Sequence, residues 1–278
     1  MAAELCCETS ACCLFMIRKE LLWMQPYSGF AAVYDLFMDN VPYEEWTDYV
    51  QQILKKNKIE KGLLLELGCG TGSMTRCLAD RGYDMIGIDY SEEMLAIARE
   101  NSTEDYNILY LCQDMREFEL YGTVAAVVSV CDSMNYLLTE EDLLKVFCLV
   151  NNYLDPGGLF IFDLDTEYAY REVLADNTIA ENREEGSFIW ENTYYEEEKM
   201  NEVNLTLFIP EDDQLYRKYE ETHYRKTYTV DTITRLIEKA GMELVAIYDM
   251  LTEKKPKEDS ERVYVIAREK RQENKLYL

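Results

Sequence analysis

Residues 63–75 read LLLELGCGTGSMT, and the fold is decided there. An apolar run ends in Glu66 and breaks into Gly68, Gly70 and Gly72, a glycine at every second position. A buried strand that enters a helix through glycines lets backbone approach a ligand closely, because no Cβ stands in the way. Four more apolar runs follow: MIGIDY at 85–90, ILYL at 108–111, VAAVVSV at 124–130 and LFIF at 159–162. Helical patterns separate them. Five such strands alternating with helices predict an α/β domain built on a doubly wound parallel sheet with right-handed crossovers.

Outward from that stretch, YSGFAAVYD at 27–35 crowds aromatic residues into a short segment. Pro42 then opens a helix to about Asn57, with Trp46, Val50, Ile53 and Leu54 on one face. Ser91 is a good N-cap, followed by Glu92, Glu93 and the face Met94, Leu95, Ala98. Thr139 with Asp142 resembles a capping box, and Pro156-Gly157-Gly158 reads as a turn. From 187 to 228 the alternation stops and aromatic, β-branched runs take over, which predicts a three-stranded antiparallel insert. Thr229 caps a further helix that Gly241 stops, and LVAIY (244–248) with VYVIA (263–267) supplies a C-terminal antiparallel hairpin. The predicted sheet thus has seven strands. The organisation is an N-terminal extension at 1–26, a helical segment at 27–60, the main domain at 61–186 and 229–268 around the insert at 187–228, and a charged tail at 269–278.

Charge and cysteine usage narrow the partners. With 28 Lys+Arg against 54 Asp+Glu, the net charge of −26 repels phosphate backbones and anionic membranes. No apolar run approaches the ~20 residues needed to cross a bilayer. Nine cysteines are scattered, and the later five fall in or beside predicted core elements, where free thiols act as small hydrophobes. A reducing cytoplasm is the expected location. The extension carries Cys6-Cys7 and Cys12-Cys13, but Glu4 and Arg18-Lys19-Glu20 fit a secretory signal poorly. Residues 1–23 are expected to be dispensable, with Met24 as the functional start. No metal-ligand spacing appears in residues 27–278.

Ligands in doubly wound sheets bind beyond the carboxyl ends of the strands. Those ends carry Glu66 and the glycines, Asp89, Asp114, and Cys131-Asp132-Ser133. Asp89 lies seventeen residues after Gly72, where an acid accepts hydrogen bonds from ribose hydroxyls. Its competing reading is a capping acid beside Ser91. A dinucleotide fingerprint needs glycine or alanine at its sixth position, which here is Ser73.

The spacing Glu-x-Gly-x-Gly-x-Gly instead resembles motif I of the class I S-adenosylmethionine (SAM)-dependent methyltransferases, which have a Rossmann-like seven-stranded sheet. IDYSEEML, the CQDM segment, VSVCDSMNYL and LDPGGLFIFDL follow in order, so the resemblance covers roughly residues 27–268. It implies that Gly68, Gly70 and Gly72 pass close to the methionine part of SAM, with Glu66 favouring its ammonium. Asp89 would hold the ribose, Tyr90 or Met94 would pack on the adenine, Asp114 would accept from the adenine amino group and Met115 would cover the ring. The backbone around Cys131 would line the sulfonium side. Met94 and Met115 have ordinary core packing as their rival.

A narrower resemblance is to an uncharacterised bacterial group of small-molecule methyltransferases. It implies that Tyr27, Phe30, Tyr34 and Asp35 fold over the cofactor and that the insert forms a substrate lid, here carrying Trp190, Tyr194, Tyr195, Tyr224 and Tyr228. His223, the chain's one histidine, is the candidate general base or substrate anchor, and Arg225 the candidate grip on a substrate carboxylate. CDSMNY lacks the Asp/Asn-Pro-Pro-aromatic pattern of nucleobase amino-methylating enzymes. The expectation is SAM-dependent methyl transfer to N or O of a small molecule by a monomer or homodimer, with a membrane or nucleic-acid partner disfavoured. RNA methylation and a non-catalytic SAM-binding sensor or scaffold are the alternatives.

Overall fold

The computed structural model describes residues 31–103, 106–212 and 215–271. The expectations on the N-terminal extension, Tyr27 and Phe30 fall outside them. Two helices, α1 (Ala31–Phe37) and α2 (Tyr43–Lys56), lead into β1 (Leu63–Leu67). The glycine stretch and α3 (Ser73–Asp80), β2 (Asp84–Asp89), α4 (Glu92–Asn101) and β3 (Ile108–Cys112) follow. Next come β4 (Val124–Ser129), a 3-10 turn at Ser133–Tyr136, α5 (Glu140–Tyr153) and β5 (Leu154–Asp165). A π-helical turn at Ala169–Leu174 leads to β6 (Thr178–Arg183), β7 (Gly186–Tyr195), β8 (Met200–Asp212) and β9 (Leu215–Lys226). The chain closes with α6 (Val230–Lys239), β10 (Met242–Asp249) and β11 (Arg262–Glu269).

Seven strands form one sheet in the order β10-β11-β5-β4-β1-β2-β3. Pairings from β5 through β3 are parallel, and β11 runs antiparallel to both of its neighbours. The period of two along each strand sorts the core into two layers. Leu64, Ala126, Val128, Leu159 and Ile161 pack with Val50, Ile53 and Leu54 of α2 and with Met74 and Leu78 of α3. Leu65, Leu67, Val127, Phe160 and Phe162 pack on the other face with Leu143, Val146 and Phe147 of α5 and with Ile233 and Leu236 of α6. Caps expected from sequence are in place: Ser91 Oγ accepts from Met94 N, Thr139 Oγ1 from Asp142 N, and Thr229 Oγ1 from Thr232 N. Each such cap stabilises its helix by about 1 kcal/mol.

Two boundaries differ from expectation. The insert has four antiparallel strands, ordered β6-β7-β8-β9, and begins at Thr178 instead of 187. β6 reads TIAENR and is mostly exposed, so no alternation marks it; pairing of Ala180 with Ile189 and Arg183 with Gly186 makes it a strand. Pro156-Gly157-Gly158 is a bulge within β5, where the register with β4 jumps between Val124/Leu154 and Ala126/Leu159.

Candidate functional site

The glycine stretch closes β1 with three residues in the left-handed region: Gly68 at φ 72°, Gly70 at 52° and Gly72 at 76°. A Cβ on Gly68 would sit 2.6 Å from Ser133 Oγ, whereas a Cβ on Gly70 would meet no atom within 4 Å. Backbone therefore faces open space at Gly70, with the Met115 methyl group close to Gly68. Asp89, at the tip of β2, clasps this turn. Its Oδ2 accepts from Gly70 N at 2.8 Å and its Oδ1 from Ser91 N at 2.9 Å. Burial raises its pKa against the pull of those donors. Glu66 is 3% exposed, accepts from Thr75 Oγ1, and is pushed up to about 8 by burial.

α1 crosses the stretch from above. Asp35 accepts from Thr71 Oγ1 at 2.5 Å and from Asn101 Nδ2 at 3.1 Å, which ties α1 to the glycine turn and to α4. Burial, then Tyr43, Cys131, Asp132 and Tyr136, push the Tyr34 phenol well up. Val33 and Phe37 pack on Leu205 and Leu207 of β8, joining α1 to the insert.

The loop after β4 is bent by Cys131 (φ 60°) and Asp132 (φ 53°). Left-handed non-glycine residues cost on the order of 1–3 kcal/mol each and persist where surroundings hold them. Here Asp163 of β5 accepts from both backbone N–H groups, at 3.1 and 2.8 Å. Arg225 of β9 donates to Asp132 Oδ2 at 2.6 Å and lies 3.8 Å from Asp165. Arg262 of β11 bridges Asp132, Asp163 and Asp165 at 3.4, 3.1 and 2.9 Å. Burial pushes Asp163 up to about 7, opposed by Arg262. The Cys131 thiol is raised well above its usual value by burial and then Asp163, which removes it as a nucleophile.

Alternation on β9 turns Glu221, His223 and Arg225 to one buried face, at 8%, 3% and 6% exposure. Cross-strand partners on that face are Leu205, Val203 and Asn201 of β8, then Trp190, Asn192 and Tyr194 of β7. The Arg225 guanidinium lies 5.6 Å over the Trp190 ring and 5.7 Å over Tyr170. His223 Nδ1 is 3.3 Å from Tyr136 Oη, and its Nε2 is 3.3 Å from Glu221 Oε2. The inner face of the insert thus carries a line of buried polar side chains beside apolar ones and stands against the loop after β4.

The predicted residues fall at one end of the sheet. Glu66, Gly68, Gly70, Gly72, Asp89, Met115 and Cys131 frame the opening beside β1, and Tyr34 arrives from α1. Asp114 is bound by Arg116 Nε at 2.9 and 3.0 Å; burial opposes ionisation, but that guanidinium holds its pKa down. Tyr90 is 53% exposed while Met94 is 2% exposed, so Tyr90 is the ring available at the surface. Arg225, expected as a carboxylate grip, is engaged with Asp132 and ties the insert to the core. Sequence reading passed over Glu221, Tyr136, Asp163 and Arg262. Glu221 was hidden in a run of charges, although its spacing of two from His223 was the available signal. A surface groove of about 660 Å³ lined by Arg116, Leu144 and Cys148 meets the predicted residues through the Arg116–Asp114 pair.

A methyltransferase-domain family model matches residues 64–158. YqeM, a candidate methyltransferase of Bacillus subtilis strain 168, is 35% identical over 242 residues, covering 87% of this chain and 96% of its own. The chain belongs to the class I SAM-dependent methyltransferases. A SAM-dependent methyltransferase from Clostridium acetobutylicum superposes with a TM-score of 0.78 at 26% identity, covering 89% of this chain and 100% of that one. The dTDP-3-amino-3,4,6-trideoxy-α-D-glucopyranose N,N-dimethyltransferase of Streptomyces venezuelae is 30% identical over 153 residues, 54% of this chain and 62% of that one. This methyltransferase therefore uses SAM, and its residues fit that cofactor: the open cradle at Gly70 admits a close ligand, and Asp89 stands at the strand tip beside it. No helix among the described residues is long and apolar enough to cross a membrane.

Proposed function

We propose that this methyltransferase methylates a nitrogen or oxygen of a small molecule held beneath the four-stranded insert, with an amine as the favoured acceptor. The observation that carries this is the buried polar face of β7–β9 set against the Cys131-Asp132 loop. A lid of that kind shuts out water and suits a compact acceptor better than a folded RNA. Asp132, Asp163, Asp165 and Glu221 outnumber Arg225 and Arg262 there, and although burial raises the pKa values of Asp163 and Asp165, the carboxyls that line this end favour a cationic substrate. The Streptomyces relative's amino-sugar acceptor supports the same chemistry.

SAM supplies a methyl group on a positively charged sulfur. Gly68, Gly70 and Gly72 would line its methionine part near Glu66, Asp89 its ribose, Tyr90 or Met94 with Met115 and Asp114 its adenine, and Cys131 the sulfonium side. Tyr34, and Tyr27 outside the described residues, would cover it. Since the donor is already activated, the protein's work is to align donor and acceptor and exclude water. His223 and Arg225 line the acceptor side, Arg225 by holding Asp132.

The test is formation of S-adenosylhomocysteine with a panel of alkylamines, amino-sugar nucleotides and carboxylates, run beside bulk RNA. Turnover stimulated by one small-molecule class, and by amines first, is expected. Turnover stimulated by RNA alone would overturn the proposal.

A further inference from the structure

His223 has a neighbour at each ring nitrogen, and the two differ in kind. Glu221 Oε2, only an acceptor when ionised, lies 3.3 Å from Nε2; Tyr136 Oη lies 3.3 Å from Nδ1. A carboxylate that close to Nε2 favours the proton on that nitrogen. Nδ1 is then left to accept, and the Tyr136 hydroxyl is the donor aimed at it. Tyr136 closes the turn that starts directly after Cys131-Asp132, the loop proposed above to line the sulfonium side. Its ring meets the His223 ring edge-on at 6.0 Å, and it is near enough to raise the pKa values of Tyr34 and Tyr170. Glu221 and His223 come from the insert, while Tyr136 comes from the core. The chain of contacts forms only with the insert seated. The Tyr136 contact is a long hydrogen bond and the Glu221 contact an ion-pair distance, and catalytic hydrogen bonds commonly tighten when substrate binds.

We propose that Tyr136, His223 and Glu221 form a proton relay that deprotonates an alkylammonium acceptor, with Tyr136 touching the substrate and the other two acting through it. This rests on the small-molecule reading above and extends it to the protonation state of the acceptor. The Tyr136 oxygen takes a proton from the acceptor's nitrogen as its own hydroxyl proton passes to His223 Nδ1, leaving an imidazolium against the Glu221 carboxylate. The freed nitrogen lone pair forms the N–C bond to the methyl group. The C–S bond breaks, and its electron pair stays on sulfur. The imidazolium returns its proton to water through Tyr136 once the product has left.

Because His223 is the sole histidine, selective ¹⁵N-histidine labelling of the full chain reports this ring alone. In its neutral form the ring should appear as a single tautomer with Nε2 protonated and Nδ1 accepting. Tyr136→Phe should move the Nδ1 resonance towards an unbonded position, and Glu221→Gln should mix the tautomers. A neutral ring protonated at Nδ1, or an Nδ1 signal that Tyr136→Phe leaves in place, would each overturn the relay. With the amine that supports turnover in the panel above, Tyr136→Phe should lower kcat about 100-fold or more, the scale of general-base catalysis. SAM affinity by calorimetry should stay within about twofold, while Glu221→Asp restores part of the rate lost in Glu221→Gln. An unchanged kcat would sink the relay. Lack of turnover with every amine would instead sink the small-molecule amine reading, and the histidine spectrum would still decide the relay's geometry.

Discussion

Glu66 ends β1 with a carboxyl that water barely reaches, and burial outweighs the Thr75 hydroxyl in setting its pKa at about 8. The unfolded chain gives up that proton near the ordinary glutamate value of about 4.3. Below that value both states are protonated and the contribution to stability is whole. As pH rises from there to about 8, the folded state binds the extra proton, so stability falls by up to about 1.4 kcal/mol per pH unit until Glu66 ionises in the folded state too. Glu66→Gln is neutral throughout. Its melting temperature relative to wild type should therefore climb steadily between about pH 5 and about pH 8 at fixed ionic strength. A constant difference across that window would mean that Glu66 is already ionised in the folded protein. The residue also shows what sequence could tell. An acid before the glycines was visible, but its protonation depends on the lid of side chains that desolvates it, and no motif encodes that.

At the scale of elements, Arg225 fastens β9 to the loop after β4. Removing one partner of a buried ion pair costs roughly 3–5 kcal/mol, because a charge is left unpaired. Arg225→Met differs in that Asp132 keeps Arg262 at 3.4 Å, so the core end of the network survives. The variant should fold, lose protection of the β9 amides in hydrogen exchange, and raise the acceptor KM while SAM affinity stays within a few-fold. Unchanged exchange in β9 would show that the apolar contacts of α1 with Leu205 and Leu207 hold the insert without it. The same elements mark where sequence was readable. Strands β1, β2, β4 and β5 are largely buried on both faces and announce themselves as apolar runs, and the edge strand β3 keeps an apolar run although Leu109 is exposed. β6 does not, because its pairing with β7 is carried by backbone and its side chains stay in solvent. The insert's inner face was half legible: alternation exposed His223 and Arg225 as neighbours, but which face turned inward required the register with β8.

For the whole molecule, a net charge of −26 surrounds a site whose proposed ligands are cationic. Sequence alone gave this field, and with it the case against nucleic acid. It could not say that the acids Asp132, Asp163 and Asp165 come together at the carboxyl ends of the sheet, since these residues are spread over β4, β5 and their loops. A field of one sign concentrates ligands of the other and speeds their encounter, and salt screens it over about 10 Å at 0.1 M. The kcat/KM for a cationic amine acceptor should thus fall several-fold as NaCl rises from roughly 0.02 M to roughly 0.3 M. A neutral acceptor of similar size, measured at saturating SAM, should change much less, and an anionic one should gain. Taking the ratio of cationic to neutral acceptor removes any effect of salt on the fold itself. A ratio indifferent to salt would mean that the surface charge plays no part in substrate capture, and that selection of the amine happens only inside the chamber, at Glu221 and its neighbours.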